Sequence, residues 1–93
     1  MARQVIQVNV GTSLREATGG NPVITTDALS VAEVISRIDE TYPGFARQMI
    51  SRSGQLRSNI DVTRLSDGCV LELDSVLTDG ETLRVSLRAV AGG

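Results

Sequence analysis

The side chains from which most protein catalysis is built are scarce in this chain. It has no histidine and one cysteine, Cys69, which excludes a His-based triad, a Cys/His zinc site and a disulfide framework. Cys69 follows Gly68 with no neighbouring base to lower its pKa, and it reads as a buried or strand-edge thiol. The acidic pairs Asp39/Glu40 and Glu72/Asp74 are the remaining candidates for acid–base or metal chemistry. Adjacent residues diverge on a helix, and Glu72 and Asp74 would share the solvent side of a strand, so both pairs read as solvated surface. Gly11-Thr12-Ser13 and Thr18-Gly19-Gly20 resemble fragments of phosphate loops. No Lys-Ser/Thr follows either one and no helix start comes next, so they read as ordinary loop.

What remains is the closing run Arg88-Ala89-Val90-Ala91-Gly92-Gly93. It reads either as a ragged terminus or as a reactive group in its own right. Glycine lacks a Cβ, so an extended Ala-Gly-Gly segment can thread a narrow channel and lie close against another backbone. Ala89 and Ala91 extend that slenderness. A carboxylate on Gly93 can attack the α-phosphate of ATP to give an acyl-adenylate. A sulfur nucleophile then yields a thiocarboxylate, and an amine an amide.

Composition agrees with chemistry placed outside a pocket. Ninety-three residues make one domain with one small core, and 41% apolar with 22% charged residues is ordinary globular usage. Tyr42 and Phe45 are the whole aromatic set, which leaves Val, Leu and Ile to build the core. The net charge is −2, which gives no footprint for nucleic acid or an anionic membrane. All nine basic residues are arginine. The absence of lysine reads as codon bias in a GC-rich genome, or as protection of an activated carboxyl group from its own chain. No stretch approaches the ~20 apolar residues that span a bilayer, and the N-terminus lacks the apolar region of a signal peptide. A single unpaired cysteine agrees with a reducing compartment, and a cytoplasmic location is expected.

The elements that must carry this tail follow from periodicity. Gln4–Val10 alternates Ile6, Val8 and Val10 with Gln7 and Asn9 as a half-buried strand does. Residues 11–22 are turn chemistry anchored by Leu14, and Val23–Thr26 returns as the second strand of a long-looped hairpin. Ser30-Val31-Ala32-Glu33 is a capping box in which Glu33 reaches back to the N–H of Ser30, with Leu29 and Val34 as a hydrophobic staple. Val31, Val34, Ile35 and Ile38 then share one helix face, and Tyr42-Pro43-Gly44 stops the helix. Phe45, Met49 and Ile50 suggest a short helical turn. Strands are expected at Asn59–Thr63, Val70–Leu73 and Leu83–Leu87, with tight turns at Asp67-Gly68 and Asp79-Gly80. One helix covering one sheet face is an α+β roll.

The tail and this element order together resemble the β-grasp, ubiquitin-like sulfur carriers of bacteria. Leu77-Thr78-Asp79-Gly80-Glu81, a strand, and Ala89-Val90-Ala91-Gly92-Gly93 match the family's Asp-Gly-Asp/Glu turn, last strand and ending; Tyr42-Pro43-Gly44-Phe45 matches its helix exit. Leu14-Arg15 followed by Thr18-Gly19-Gly20 looks most like the branch that serves thiocarboxylate-dependent cysteine biosynthesis. Ser58-Asn59-Ile60-Asp61-Val62-Thr63 keeps the first but not the second Asn of the family's third strand. Leu87-Arg88 stands where many members have Leu-Pro or Ile-Pro.

The resemblance implies a β-grasp domain over 1–88 with a mixed four- to five-stranded sheet on one main helix, and a flexible tail over 89–93. It implies a substrate protein with no bound cofactor. An E1-like enzyme would use ATP and Mg²⁺ to adenylate Gly93, and a persulfide or sulfide donor would convert it to the thiocarboxylate. Arg88, Ala89, Val90, Ala91, Gly92 and Gly93 would thread into partner active sites. A downstream enzyme, in the cysteine branch a cysteine synthase, would take the sulfur, and a JAMM-type zinc metalloprotease would release the product. The destination would be cysteine or a specialised sulfur metabolite. Two alternatives are the small subunit of molybdopterin synthase and a modifier conjugated through Gly93. Leu83, Val85 or Leu87 of the last strand would face either a partner or the core, and core is preferred.

Overall fold

The computed structural model describes residues 5–87. Its elements are β1 (Val5–Val10), a 3-10 helix (Thr12–Thr18), β2 (Val23–Asp27), α1 (Val31–Thr41), α2 (Phe45–Met49), β3 (Ile60–Arg64), β4 (Val70–Leu71) and β5 (Thr82–Leu87). The five strands form one sheet in the order β2-β1-β5-β3-β4. β1 and β5 are parallel, with Val8 opposite Leu83 and Val10 opposite Val85. The other neighbours are antiparallel. This is the β-grasp roll, with the last strand placed in the middle of the sheet.

The period-2 pattern decides which sheet face is buried. Ile6, Val8 and Val10 of β1, Ile60 and Val62 of β3, and Leu83 and Val85 of β5 all turn toward the helices and are buried. Val31, Val34, Ile35 and Ile38 of α1 meet them, and Phe45 and Met49 of α2 close one end. With so few aromatics, the core is built almost wholly from branched aliphatic side chains, each contributing ~1.5–3 kcal/mol on full burial. Leu83 and Val85 are therefore core, whereas Leu87, at the end of the same row, is 42% exposed. The opposite face carries Gln7, Asn9, Thr25, Thr63, Arg84 and Ser86 and is left open.

α1 begins as the capping box requires. Ser30 is extended (φ −147°, ψ 166°) and its Oγ accepts from the Glu33 N–H at 3.2 Å. The Glu33 carboxylate returns one residue further than expected, accepting from the N–H of Leu29 at 2.7 Å instead of that of Ser30. Leu29 is 59% exposed, so the expected staple on buried Val34 is not made. The Leu29 carbonyl instead accepts from Leu77 N–H, which ties the helix entry to the segment before β5. At the other end Asp39 is not free surface. Its Oδ1 accepts from Gly44 and Ala46 N–H, both at 3.0 Å, which caps α2 where Gly44 adopts φ 103°.

Three expectations change. The first loop is not irregular throughout, because Leu14 and Thr18 are both buried and draw residues 12–18 into a 3-10 helix. Val70–Leu73 pairs with β3 only through Val70 and Leu71. Glu72 and Asp74 consequently lie in the turn beyond β4, exposed and not on a strand face.

The packing sets two expected outcomes for urea unfolding. Leu83→Ala, which empties the centre of the core, lowers stability by ~2–5 kcal/mol. Ser30→Ala, which removes only the cap on α1, lowers it by ~1 kcal/mol.

Candidate functional site

Arg88, Ala89, Val90, Ala91, Gly92 and Gly93 lie outside the described residues, as does Gln4. What the structure supplies is the base from which the tail departs. β5 runs between β1 and β3 as far as Val85 and stays paired with β3 to its last residue, with Leu87 in register with Ile60. On the other side the Gly11 N–H, just past β1, donates to the Val85 carbonyl at 2.7 Å. A Cβ on Gly11 would come within 3.1 Å of that carbonyl oxygen, a tight contact that glycine avoids where the first loop leaves this close to β5.

The start of β5 is held by the Thr78-Asp79-Gly80-Glu81 turn. Asp79 Oδ1 accepts from the Val5 N–H at 2.7 Å and Gly80 N–H donates to the Val5 carbonyl at 2.9 Å. Gln7 N–H then donates to the Glu81 carbonyl at 3.0 Å, which begins the parallel ladder. Gly80 sits at φ 85°, a conformation that glycine adopts without steric penalty. Asp79-Gly80 thus acts as a clasp on β1 and not as a hairpin turn. Glu81 serves twice: Oε2 accepts from Thr78 N–H at 2.6 Å, and Oε1 stands against Arg64 Nε. That Nε is shut off from solvent and meets Glu81 as an ion pair by distance without a well-angled hydrogen bond.

Arg64 also reaches Asp67 Oδ2 at 3.3 Å. The Asp67 carboxyl is held below the usual aspartate value, chiefly by the Cys69 backbone N–H that donates to it at 3.0 Å and secondarily by Arg64. The Arg64 guanidinium is pushed up; its desolvation opposes the rise, and Asp67 and Glu81 outweigh it.

The other sequence candidates are accounted for individually. Cys69 is exposed, so the buried alternative is ruled out and it is a thiol beside the edge strand β4. The two phosphate-loop fragments bracket the 3-10 helix, whose start the sequence pattern does not reveal. Their groups are spent internally: Gly11 N–H on Val85, Gly20 N–H on Arg15, and Thr18 Oγ1 beside the carbonyls of Arg15 and Asn21. Tyr42 covers this loop, accepting from Asn21 Nδ2 at 2.5 Å with its ring 3.4 Å from a Cβ placed on Gly19. Among the described residues no group of His, Cys, Asp and Glu could hold a metal ion, and no helix is long and apolar enough to cross a membrane. The Arg64–Glu81 pair was missed by sequence reasoning. The Asp-Gly-Glu turn was its only signal.

No family model matches the chain, and no curated protein matches it in sequence. Solved structures do. CysO in the Amycolatopsis orientalis BexX/CysO complex is 27% identical with a TM-score of 0.81, covering 95% of this chain and 99% of that one. Mycobacterium tuberculosis CysO is 22% identical with a TM-score of 0.76, covering 90% of this chain and 99% of that one. Small archaeal modifier protein 1 of Haloferax volcanii is 17% identical with a TM-score of 0.78, covering 92% and 99%. The resemblance to the β-grasp, ubiquitin-like sulfur carriers read from the sequence is thus met, with CysO among the neighbours.

Two outcomes test the turn before β5 and the ion pairs of Arg64. Glu81→Ala lowers the melting temperature by about 5 °C, the effect of one net hydrogen bond in a domain of this size, while exposed Glu72→Ala leaves it unchanged. Asp67 contributes stability that is fully present above its unfolded value near ~3.9 and is lost as pH falls through its lower folded value. In Asp67→Asn the urea midpoint therefore falls less steeply below about pH 4 than in the parent chain.

Proposed function

We propose that this chain is a sulfur carrier and that its reactive atom is the carboxyl carbon of Gly93. The supporting observation is the 27% identity to CysO over nearly the full length of both chains, joined to an Ala-Gly-Gly ending a few residues after β5. On this reading the chain is a substrate of partner enzymes and not a catalyst. A Gly93 carboxylate oxygen attacks the α-phosphorus of ATP, the bond to pyrophosphate breaks, and an acyl-adenylate forms. Sulfide then attacks the acyl carbon and AMP leaves with the bonding pair, giving the thiocarboxylate. ATP and Mg²⁺ belong to the E1-like activating enzyme, which receives the slender segment Arg88 to Gly93.

The domain's part is to hold that segment on a base that does not yield. β5 carries it from the centre of the sheet, between the ladders to β1 and β3. The sulfur is then delivered to a downstream acceptor enzyme, a cysteine synthase or the enzyme of a specialised sulfur metabolite. A JAMM-type protease would free the product in the cysteine case. A reducing cytoplasm suits the unpaired Cys69 and a thiocarboxylate alike.

The reading is tested by intact-mass measurement after incubation with the cognate E1-like enzyme, ATP, Mg²⁺ and sulfide. A gain of ~16 Da on the C-terminal peptide, one oxygen replaced by sulfur, is expected. Deleting Gly93 abolishes the gain and leaves the urea midpoint unchanged. An unaltered mass with the active partner refutes the proposal, and isopeptide remnants on other proteins without thiocarboxylate would favour a modifier instead.

A further inference from the structure

The arginines are not spread evenly over this acidic chain. Arg15 lies just beyond β1, where its Nε donates to the Val10 carbonyl at 3.1 Å, and Val10 is in register with Val85 of β5. On the other side of β5, Ile60 is in register with Leu87 and its N–H donates to the Arg57 carbonyl at 3.0 Å. Arg57 Nε in turn donates to the Arg47 carbonyl at 3.0 Å, which holds those two residues together. Arg84 is exposed on the open sheet face of β5 itself, shortly before Leu87. The end of β5 from which the tail departs is therefore ringed by Arg15, Arg47, Arg57 and Arg84.

None of these four has a carboxylate partner among the described residues. Arg37, by contrast, lies 4.0 Å from Asp27 and Glu40, and Arg64 is paired with Asp67 and Glu81. The carboxylates near the ring, exposed Glu72 and Asp74 beside Gly54–Leu56 among them, do not pair with it among the described residues. Glu16 is exposed, Asp39 is committed to the amides of Gly44 and Ala46, and Asp61 has a partner of its own. The opposite end, where β1 begins and α1 starts, holds Asp27, Glu33, Asp67 and Asp79. A guanidinium stays charged at any working pH. Four arginines without a carboxylate partner among the described residues thus stand around the base of the tail, in a chain whose net charge is −2.

We propose that Arg15, Arg47, Arg57 and Arg84 form a cationic collar that docks on an acidic protein rim surrounding the channel which receives the tail. The proposal rests on the tail being the group that is activated. Like charges left unpaired on one face repel one another in the free domain, and a rim of Asp and Glu removes that repulsion on docking. An acidic mouth draws in the collar, and the tail with it. Arginine can also pair each carboxylate through two parallel N–H bonds.

The test is carrier-dependent ATP–pyrophosphate exchange by the cognate E1-like enzyme, which reads adenylation of the tail directly. Arg47 and Arg84 are the positions to change, because neither side chain makes an intramolecular hydrogen bond among the described residues. R47E/R84E is expected to raise the KM for the carrier at least ~10-fold with kcat unchanged, and to lose most of that difference between about 50 and 500 mM salt. R47K/R84K, which keeps the charge, retains a near-normal KM. The same charge change per residue away from the ring, Arg37→Glu beside Asp27, does not raise KM. Melting curves confirm that each variant folds. Exchange by the parent chain with a KM indifferent to salt and to R47E/R84E, or a loss confined to kcat, overturns the collar and leaves the sulfur-carrier reading standing. No exchange by the parent chain overturns both.

Discussion

β5 is the last of the five strands in the chain and stands in the middle of the sheet, and every other element is arranged around that insertion. The first hairpin and β3 offer two edges that remain unsatisfied until β5 pairs with both. The Asp79 carboxylate that fixes its entry bonds to an amide 74 residues away in sequence. The sheet therefore closes by a long-range contact, the kind whose loop-closure entropy must be met before the packing repays it. The core on α1 and α2 is common property of β1, β3 and β5, so losing β5 removes the central row of that core.

Short-range physics was legible in the sequence. The Ser30/Glu33 cap, the apolar stripe of α1, the stop at Tyr42-Pro43-Gly44 and the alternation of β1, β3 and β5 all involve residues within about one turn or one strand of each other, and they recur in the structure. What escaped depends on residues far apart. Leu29 does not serve as a staple: its side chain is exposed, and its carbonyl accepts from distant Leu77. The 3-10 helix forms because Leu14 and Thr18 both find cover under elements that have no sequence relation to them. Arg64 and Glu81 meet only because β3 lies beside β5. The arginine ring is likewise invisible in a linear reading, since its members come from four separate segments. The tail was legible only as a motif, on residues outside the described part.

The lack of histidine and the single cysteine have a simple counterpart in this architecture. Of the polar groups that resembled a site from their residue type, Asp39 and the first-loop amides hold the chain together, while Glu72, Asp74 and Cys69 stay exposed. Asp39 caps α2, Asp79 clasps β1, Glu81 braces the turn before β5, and the first-loop amides are used on β5 and the 3-10 helix. The fold spends its polar chemistry on fixing one strand. On the proposed reading, that strand is the mount for a reactive end.

The parallel pairing of β1 and β5 also has a mechanical consequence. A pull on whatever follows Leu87 acts along the axis of β5, and β1 and β3 resist it on both flanks at once. In that geometry the ladder bonds are loaded in shear and share the force, whereas a strand peeled from a sheet edge would surrender them one at a time. β4, with two residues at the edge, lies outside the load path and can fray without loosening it. The domain is thus built as a stiff handle: tension transmitted through its end moves the whole body before it unravels any part of it.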